Sequence, residues 1–523
     1  MKSESLPKSW LPPTGLRFFL VVLLVVGIFF RFYNLEQKIY WHDEVYTSIR
    51  SFGYTQEEVV QQVFDGRIIG IEDLQKYQRI SPEKSLGDTI NSLVKNPEHP
   101  PLYYLLVRFW MQLFGDFMRT PRGLSALFSL LVFPCMYWLC LELFKSPLVG
   151  WVAVAFLAVS PFHALYAQEA REYSLWTVTI LLSSVALLRA MRLTTKLSWG
   201  IYAVTLALSL YTFLFSGFVA IGHGIYVVFR EKLRLSKTVA SYLVASGAGV
   251  LGFAPWVFVM ITNFNELQQK TAWVNSQKDL SFLVKIWGLH VSANFVDFCL
   301  DIDHPFTYLV PPVLLIGAGY AIYLLYRHTP QEVWLFVLTL IGVTAIALIL
   351  PDLLLGGRRS VSSRYFVPCY IGIQLAVAYL FATQISVASF SKQKVWQGLM
   401  AILISLGIAS CVVSSQADTW WNKVVGHHNS QIARLINQAP RPLVISNTSD
   451  TNTGNIISLS YLLDSKTRFQ LVVEPNIPKI PDEFSDVFLF HLSENLQEEL
   501  KKKYNAKLEP TDLPGLIRFG KLQ

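Results

Sequence analysis

The chain has 523 residues, of which 52% are hydrophobic and 15% are charged. Soluble globular domains carry about 25% charged residues, so this composition excludes an ordinary soluble protein and favours membrane residence. The formal net charge is +8, but Lys and Arg collect in the cytoplasmic loops of membrane proteins. The charge therefore does not indicate a nucleic-acid partner. The five cysteines form no CxxC pair, so neither a disulfide framework nor a thiolate metal site is indicated.

Apolar runs of about 20 residues, the length that crosses a bilayer, recur along most of the chain. They predict an all-α polytopic body of eleven transmembrane helices, at residues 15–35, 122–143, 148–165, 173–190, 198–213, 214–229, 238–259, 306–326, 332–350, 365–385 and 395–414. The short fifth and sixth segments are also compatible with one kinked passage. The first run lacks a small-residue cleavage site, so it predicts a retained helix rather than a signal peptide.

The basic residues of the short connections predict the orientation. Connections containing Arg192, Arg230 and Lys392 fall on the same side as the N-terminus. The positive-inside rule makes this side cytoplasmic. The opposite side then receives residues 36–121, 263–305, 351–364 and everything after 415.

One apolar stretch, residues 100–114, is short and contains Arg108. Counting it as a span would invert the side of the next loop. The charge rule favours an interfacial helix within a long first external loop, with a true span as the alternative.

The chain changes character after residue 415. Short patterns typical of strands at 441–447, 469–473 and 487–492 alternate with helical patterns at 452–463 and 494–504, which predicts a small α/β domain. The predicted division is a transmembrane domain at 1–414, including the first external loop at 36–121, and an external α/β domain at 415–523.

An acidic pair, Asp43 and Glu44, follows the first apolar run within Tyr-Trp-His-Asp-Glu-Val-Tyr at 40–46. A carboxylate near the membrane surface can act as a general base on an acceptor hydroxyl or can ligate a divalent ion. The structural alternative is that Asp43 is the N-cap of the next helix.

His99 precedes two prolines in His-Pro-Pro-Leu-Tyr-Tyr at 99–104. The prolines fix the backbone and place His99 at a rigid corner. A helix start with proline in its first turn explains this pattern structurally, and positioning of substrate by His99 is the functional alternative.

Three ionisable residues, Glu169, Arg171 and Glu172, lie at the external end of the third predicted span. Such groups at membrane depth are costly against lipid and usually face a cavity or pair with one another. A functional site and a salt bridge bracing two helices are equally compatible with this pattern.

A cluster of three arginines, Arg358, Arg359 and Arg364, occupies one external connection, followed by Tyr365. This placement opposes the charge rule and calls for an anion. Arginine forks bind phosphate in a bidentate manner, which favours a phosphate site. Contact with lipid head groups is the alternative.

The order of these motifs resembles the GT-C superfamily: an acidic pair after the first helix, then His-Pro-Pro-Leu-Tyr-Tyr, then Gln-Glu-Ala-Arg at 168–171, then Ser-Ser-Arg-Tyr at 362–365. Within it, the sequence looks most like the protein O-mannosyltransferase-like glycosyltransferases (family 39), with the lipid A aminoarabinose transferases as cousins. The resemblance covers roughly residues 15–385.

The resemblance implies transfer of a sugar from a polyprenyl-phosphate donor on the periplasmic or lumenal face. Asp43 would be the base and Glu44 its support, and Arg358, Arg359 and Arg364 would hold the donor phosphate, with Arg364-Tyr365 matching the family's phosphate-contacting segment. In related oligosaccharyltransferases the loop matching Glu169 and Glu172 carries a metal-binding acid. A divalent ion is therefore left open, with Asp43 and Glu169 as candidate ligands.

The loop at 263–305 is too short for the β-trefoil insertion of eukaryotic members, which implies the smaller bacterial type. The expected partners are the lipid-linked donor, membrane lipids and an acceptor protein or glycolipid. The expected reaction is inverting transfer in a bacterial plasma membrane, with the site and the C-terminal domain in the periplasm. The alternatives are a lipid-linked sugar flippase, which would not need the Asp43 carboxylate, and a scaffold acting through 415–523.

Overall fold

A computed structural model describes residues 14–300, 302–387, 389–449 and 451–521. Within these residues the chain divides into two compact units. The helical unit comprises residues 14–35, 96–103 and 122–416, and the mixed unit comprises residues 36–95, 104–121 and 417–521. Each unit is built from segments that are distant in sequence.

The described helices, in chain order, are α1 (Thr14–Phe32), α2 (His42–Ser51), α3 (Gln56–Val63), α4 (Ile71–Gln75), α5 (Leu86–Val94), α6 (Leu102–Phe114), α7 (Arg119–Phe144), α8 (Pro147–Ala158), α9 (Pro161–Ala167), α10 (Tyr173–Leu193), α11 (Lys196–Thr212), α12 (Ser216–Arg230), α13 (Lys237–Thr262), α14 (Phe264–Thr271), α15 (Leu280–Ser292), α16 (Val310–His328), α17 (Gln331–Leu355), α18 (Val367–Val387), α19 (Phe390–Gln416), α20 (Asn429–Gln438), α21 (Asn452–Ser460) and α22 (Glu494–Tyr504). The strands are β1 (Asp65–Ile69), β2 (Pro442–Asn447), β3 (Arg468–Val472), β4 (Asp486–Phe490), β5 (Ala506–Pro510) and β6 (Leu516–Lys521).

The helical unit is a multi-pass membrane body. Seven of the described helices are long and apolar enough to cross a bilayer, namely α7, α10, α13, α16, α17, α18 and α19, and the α8–α9 pair makes an eighth if it counts as one bent span. This is fewer than the eleven spans predicted. The other predicted segments are also helical, but α11 and α12 have only 17 and 15 residues, which at 1.5 Å per residue fall short of a hydrocarbon core of about 30 Å.

The predicted span at 148–165 is broken in the structure. Helix α8 ends at Ala158, α9 begins at Pro161, and the two axes differ by 61°. Pro161 has no backbone N–H to offer the preceding turn, so the last carbonyls of α8 need other donors. The buried guanidinium of Arg31 donates to the carbonyls of Leu157 and Ala158, both at 3.0 Å. The bend thus follows from the Ser160–Pro161 sequence and is stabilised by a buried arginine.

The stretch at 100–114 forms helix α6, which has 13 residues. Its length of about 20 Å is too short to cross a bilayer alone, which argues against a true span. Its Arg108 guanidinium is buried and donates to the Thr89 hydroxyl at 2.9 Å and to the Lys84 carbonyl at 2.5 Å. The polar residue that made this stretch ambiguous in the sequence is therefore satisfied by neighbouring parts of the mixed unit.

The mixed unit is organised around a six-stranded sheet in the order β1-β3-β2-β4-β6-β5. The three central strands are parallel: β2 pairs with β3 on one side and with β4 on the other. Their side chains are buried along almost their whole length, as expected for parallel strands covered on both faces. The outer pairs β1–β3, β4–β6 and β6–β5 are antiparallel.

The domain division differs from the predicted one, which placed all of residues 36–121 with the transmembrane domain. Strand β1 pairs with β3, with Asp65 opposite Val472 and Ile69 opposite Phe469. Helix α2 also packs on α21. Most of the first loop is therefore grouped with the C-terminal segment, because it supplies an edge strand and a packing helix to the α/β sheet.

Candidate active site

The acidic pair lies at the start of α2, in the mixed unit. The N-cap of this helix is Trp41, whose side chain makes no capping hydrogen bond. Asp43 is therefore in the first helical turn and is not the N-cap that the structural alternative proposed. Its Oδ1 atom is 3.0 Å from His42 Nε2, and the two side chains are 17% and 11% exposed. The result is a partly exposed carboxylate held beside an imidazole.

Glu44 is committed to the helix start. Its carboxylate is buried, and Oε2 accepts the backbone N–H of Trp41 at 3.0 Å. This is the reach of a third-position acid back to the N-cap backbone that forms half of a capping box. Of the two adjacent acids, Glu44 shapes the backbone while the Asp43 carboxylate reaches solvent.

We expect Glu44→Ala to lower the free energy of unfolding by about 1 kcal/mol, the usual cost of a lost cap, and to lower kcat as well, because the cap fixes the turn that carries Asp43. Glu44→Gln keeps an oxygen that can accept the Trp41 N–H, so its stability should stay near that of the wild type. Thermal unfolding of the detergent-purified variants measures both stabilities. A larger activity loss for Glu44→Gln than for Glu44→Ala would contradict the capping role.

The cationic residues lie in the helical unit, around the start of α10. The guanidinium of Arg171 pairs with Glu172 at 3.0 Å, and both side chains are at most 4% exposed. The Cζ atom of Arg171 is 5.6 Å from the centre of the Tyr173 ring, and that of Arg364 is 6.0 Å from the same centre. The motif at Glu169–Glu172 and the arginine cluster that includes Arg364 therefore meet at Tyr173. The sequence analysis did not propose a role for this tyrosine.

Aromatic and hydroxyl contacts fix the turn that carries Arg364. The Tyr365 ring packs edge-on against Phe215, with ring centres 4.9 Å apart. The hydroxyls of Ser363 and Tyr166 are 2.9 Å apart, so the turn is also tied to α9. A guanidinium held at a half-buried position by such neighbours is pre-organised to meet an anion.

Arg358 and Arg359 are engaged elsewhere. Arg359 is paired with the fully buried carboxylate of Asp352 at 3.2 Å and donates to the side chain of Asn275 at 2.6 Å. Arg358 donates through Nε to the carbonyl of Trp273 at 3.0 Å and lies over its ring. Both side chains fasten the 356–361 loop to residues 273–275. Of the three predicted phosphate-binding arginines, Arg364 lies at the Tyr173 cluster, whereas Arg358 and Arg359 make loop contacts.

Asp352 is the anchor of this loop. One oxygen accepts the Arg359 guanidinium, and the other accepts the backbone N–H and the hydroxyl of Ser360, each at 2.7 Å. Removing a buried charge from such a network leaves its partners unpaired, at a cost of about 3 kcal/mol. We expect Asp352→Ala to lower the thermal unfolding midpoint clearly and to loosen the loop, with increased hydrogen exchange at 356–364. Unchanged exchange there would contradict the anchoring role.

His99 lies at the predicted corner in the helical unit. Its Nε2 atom is 3.5 Å from Glu98 Oε1. The corner is held by the Trp256 indole, which donates to the Pro97 carbonyl at 3.1 Å. Farther along, the Tyr103 hydroxyl meets that of Ser125 at 2.6 Å, and Ser125 bonds the backbone carbonyl of Arg171 at 3.2 Å. The motif that begins at His99 is therefore linked to the Glu169–Glu172 motif through the hydroxyls of Tyr103 and Ser125.

Glu169 is buried, with its backbone carbonyl accepting the N–H of Arg171 at 2.7 Å. Throughout the described residues, no group of three or more His, Cys, Asp or Glu side chains is arranged to hold a metal ion. The two candidate ligands, Asp43 and Glu169, also belong to different units. A divalent ion held by Asp43 or Glu169 stays a prediction.

Three residues of the site escaped the sequence reasoning. His42 and Tyr173 each adjoin a residue that was singled out, and weighing immediate neighbours could have found them. Asp352 interrupts a long apolar run near its end, seven residues before Arg359. A lone carboxylate at membrane depth usually pairs with a cation. This pattern could have predicted that one arginine of the cluster pairs with Asp352.

A family comparison bears on the same residues. Residues 98–258 match the family model of dolichyl-phosphate-mannose-protein mannosyltransferases. Over these residues the match supports the predicted kinship with the GT-C glycosyltransferases. The matched segment contains His99 and the Glu169–Glu172 motif of the GT-C resemblance. No relative was found among curated protein sequences.

Solved GT-C structures are similar over most of the chain at low identity. ArnT from Cupriavidus metallidurans bound to undecaprenyl phosphate has 12% identity and a TM-score of 0.48, with 97% of this chain and 98% of that one covered. AglB, the oligosaccharyltransferase from Archaeoglobus fulgidus, in complex with an inhibitory peptide and a dolichol-phosphate, has 12% identity and a TM-score of 0.48, covering 96% and 74%. The arabinosyltransferase EmbB from Mycobacterium smegmatis has 12% identity and a TM-score of 0.32, covering 79% and 42%. Residue assignments therefore rest on the geometry of this chain.

Proposed function

We propose that this chain transfers a sugar from a polyprenyl-phosphate donor to an acceptor hydroxyl, with inversion at the anomeric carbon. The family match supports a donor of this class, because dolichyl phosphate is a polyprenyl phosphate. The multi-pass helical unit supports it as well, since such a donor keeps its tail in the bilayer. The proposed acceptor is a protein, a lipid or a glycan.

In the proposed reaction, the Asp43 carboxylate takes the proton of the acceptor hydroxyl as its oxygen attacks the anomeric carbon. The bond between that carbon and the phosphate oxygen breaks, and polyprenyl phosphate leaves with the bonding electrons. Arg364 would stabilise the negative charge that develops on the leaving phosphate, with Arg171 held nearby by Glu172. Arg358 and Arg359 would support this step by fixing the loop.

The observation that favours transfer over transport is the difference in environment between Asp43 and Glu44. Glu44 is buried in a capping role, whereas Asp43 is 17% exposed beside His42. A general base must be reachable by the acceptor, and a flippase has no need for such a carboxylate. We place the site and the C-terminal segment on the periplasmic side of a bacterial plasma membrane, in keeping with the charge distribution.

The test is product analysis with purified protein and a defined polyprenyl-phosphate sugar. Transferase activity releases free polyprenyl phosphate in step with glycosylated acceptor, both measured by mass spectrometry. A flippase would move labelled donor across a vesicle bilayer without releasing phosphate lipid, and that result would overturn the proposal. The same assay with and without EDTA measures whether a divalent ion is needed.

A further inference from the structure

We propose that the C-terminal segment, residues 417–521, positions the Asp43 carboxylate, and that Gly454 is the positioning residue at the contact. The inference rests on the proposed role of Asp43 as base. It assigns the α/β segment a role in the reaction, namely to hold the catalytic carboxylate in place.

The segment before Asp43 is fastened to the chain that follows α19. The backbone N–H of Ile39 donates to the Asp418 carbonyl at 2.9 Å, and the Trp41 indole donates to the Val425 carbonyl at 2.9 Å. The ammonium of Lys423 lies 4.1 Å from the centre of the Trp41 ring. Two residues on the N-terminal side of Asp43 are thus held by residues 418–425.

The segment after Asp43 is held by helix α21. A β-carbon at Gly454 would lie 2.8 Å from Cε2 of Tyr46 and 3.3 Å from Cβ of His42. Only hydrogen fits at the shorter distance, so α2 and α21 approach closely because this residue is glycine. The Tyr46 side chain also hydrogen-bonds the Gly454 backbone, while burial raises the pKa of Tyr46 to about 12. The phenol is therefore neutral at neutral pH.

The contact bears directly on the pair at the start of α2. The Cβ atom of His42 lies 3.3 Å from the place that a β-carbon at Gly454 would take. The Nε2 atom of the same residue is 3.0 Å from Asp43 Oδ1. A displacement of this first turn would therefore move the carboxylate and its imidazole neighbour together. Misplacing a catalytic group by about 1 Å can cost about 100-fold in rate, even when the fold persists.

The first experiment replaces Gly454 in the full-length protein. We expect Gly454→Ala to lower kcat by roughly 10- to 100-fold, with an unchanged KM for the lipid-linked donor, since the phosphate-binding arginines are untouched. Tyr46→Leu removes the atoms that a new methyl group would meet, so the double variant Gly454→Ala/Tyr46→Leu should recover a large part of kcat. The matched control is Gly520→Ala in β6, where a β-carbon would meet only the Lys507 carbonyl at 3.7 Å.

Hydrogen exchange of residues 38–52 supplies a readout that does not depend on transfer. Gly454→Ala should speed exchange in α2, and Gly520→Ala should not. If Gly454→Ala unfolds the protein, Trp41→Phe offers a second variant, because it removes the indole bond to Val425 and leaves a smaller ring beneath Lys423. It should also lower kcat with an unchanged KM, by a smaller factor than Gly454→Ala. Wild-type kcat with wild-type exchange, or no recovery in the double variant, overturns the inference. Absence of transfer by the wild type would instead overturn the proposed function, and exchange alone would then decide whether α21 holds α2.

Discussion

Asp43→Asn should lower kcat by about 100- to 10,000-fold, the range supplied by general acid–base catalysis, while leaving the KM for the lipid-linked donor near the wild-type value. The amide keeps the shape of the side chain and can still meet His42 Nε2, but it cannot accept the acceptor's proton. Initial rates of polyprenyl phosphate release, measured over a range of donor concentrations, separate the two constants.

The matched control for this substitution is Asp65→Asn. Asp65 is also a carboxylate of the mixed unit, 43% exposed and paired with Arg67 at 3.2 Å, and surface pairs contribute little to stability. Its variant should transfer sugar at the wild-type rate. An Asp43→Asn protein that is folded and as active as this control would show that Asp43 is not the base.

Arg364→Ala should weaken both donor binding and turnover, because the guanidinium would meet the phosphate in the bound donor and more strongly as its charge grows. Loss of one pre-organised donor to a developing negative charge costs about 100- to 1,000-fold in kcat. Arg364→Lys retains the charge without the fork, so it should fall between alanine and wild type. Steady-state kinetics and binding of the product polyprenyl phosphate measure the two effects.

Arg327→Ala is the control for the arginine series, since Arg327 is an exposed residue in the last turn of α16 in the same unit. It should leave both constants unchanged. If Arg364→Ala bound polyprenyl phosphate as tightly as this control and turned over as fast, the phosphate would have to be held by other residues.

Much of the fold was accessible from the sequence because its signals are local. The apolar runs gave the long helices, and alternating patterns gave β2, β3 and β4 to within two residues of their observed positions. Strand β1 was missed because Asp-Gly-Arg-Ile-Ile at 65–69 has no strong strand pattern of its own. It is a strand because β3 offers it an edge, and such non-local pairing overrides local preference.

The site was predictable to the level of motifs but not of roles. The three arginines Arg358, Arg359 and Arg364 in one connection predict a phosphate site, but only the three-dimensional contact with Asp352 shows that Arg359 is already paired. Likewise, adjacency marks Asp43 and Glu44 as a pair, whereas the bond from Trp41 to Glu44 separates their tasks. The sequence shows which ionisable groups are present, and only packing shows which of them already form ion pairs or hydrogen bonds within the protein.

The pairing of β1 with β3 also governs the order in which this protein can be assembled. Asp65 must wait for Val472, which is roughly 400 residues later and takes about 20 to 80 s to reach at 5–20 residues per second. Throughout that interval the apolar helices can enter the bilayer, while the first loop lacks the strand that completes its sheet. A ribosome-bound chain that stops short of α21 would already contain the apolar helices up to α19, yet its acidic pair would have no helix α21 to pack against. We therefore expect the early helices to insert while the mixed unit is still incomplete, and the first loop to be accessible to proteases and chaperones during that time.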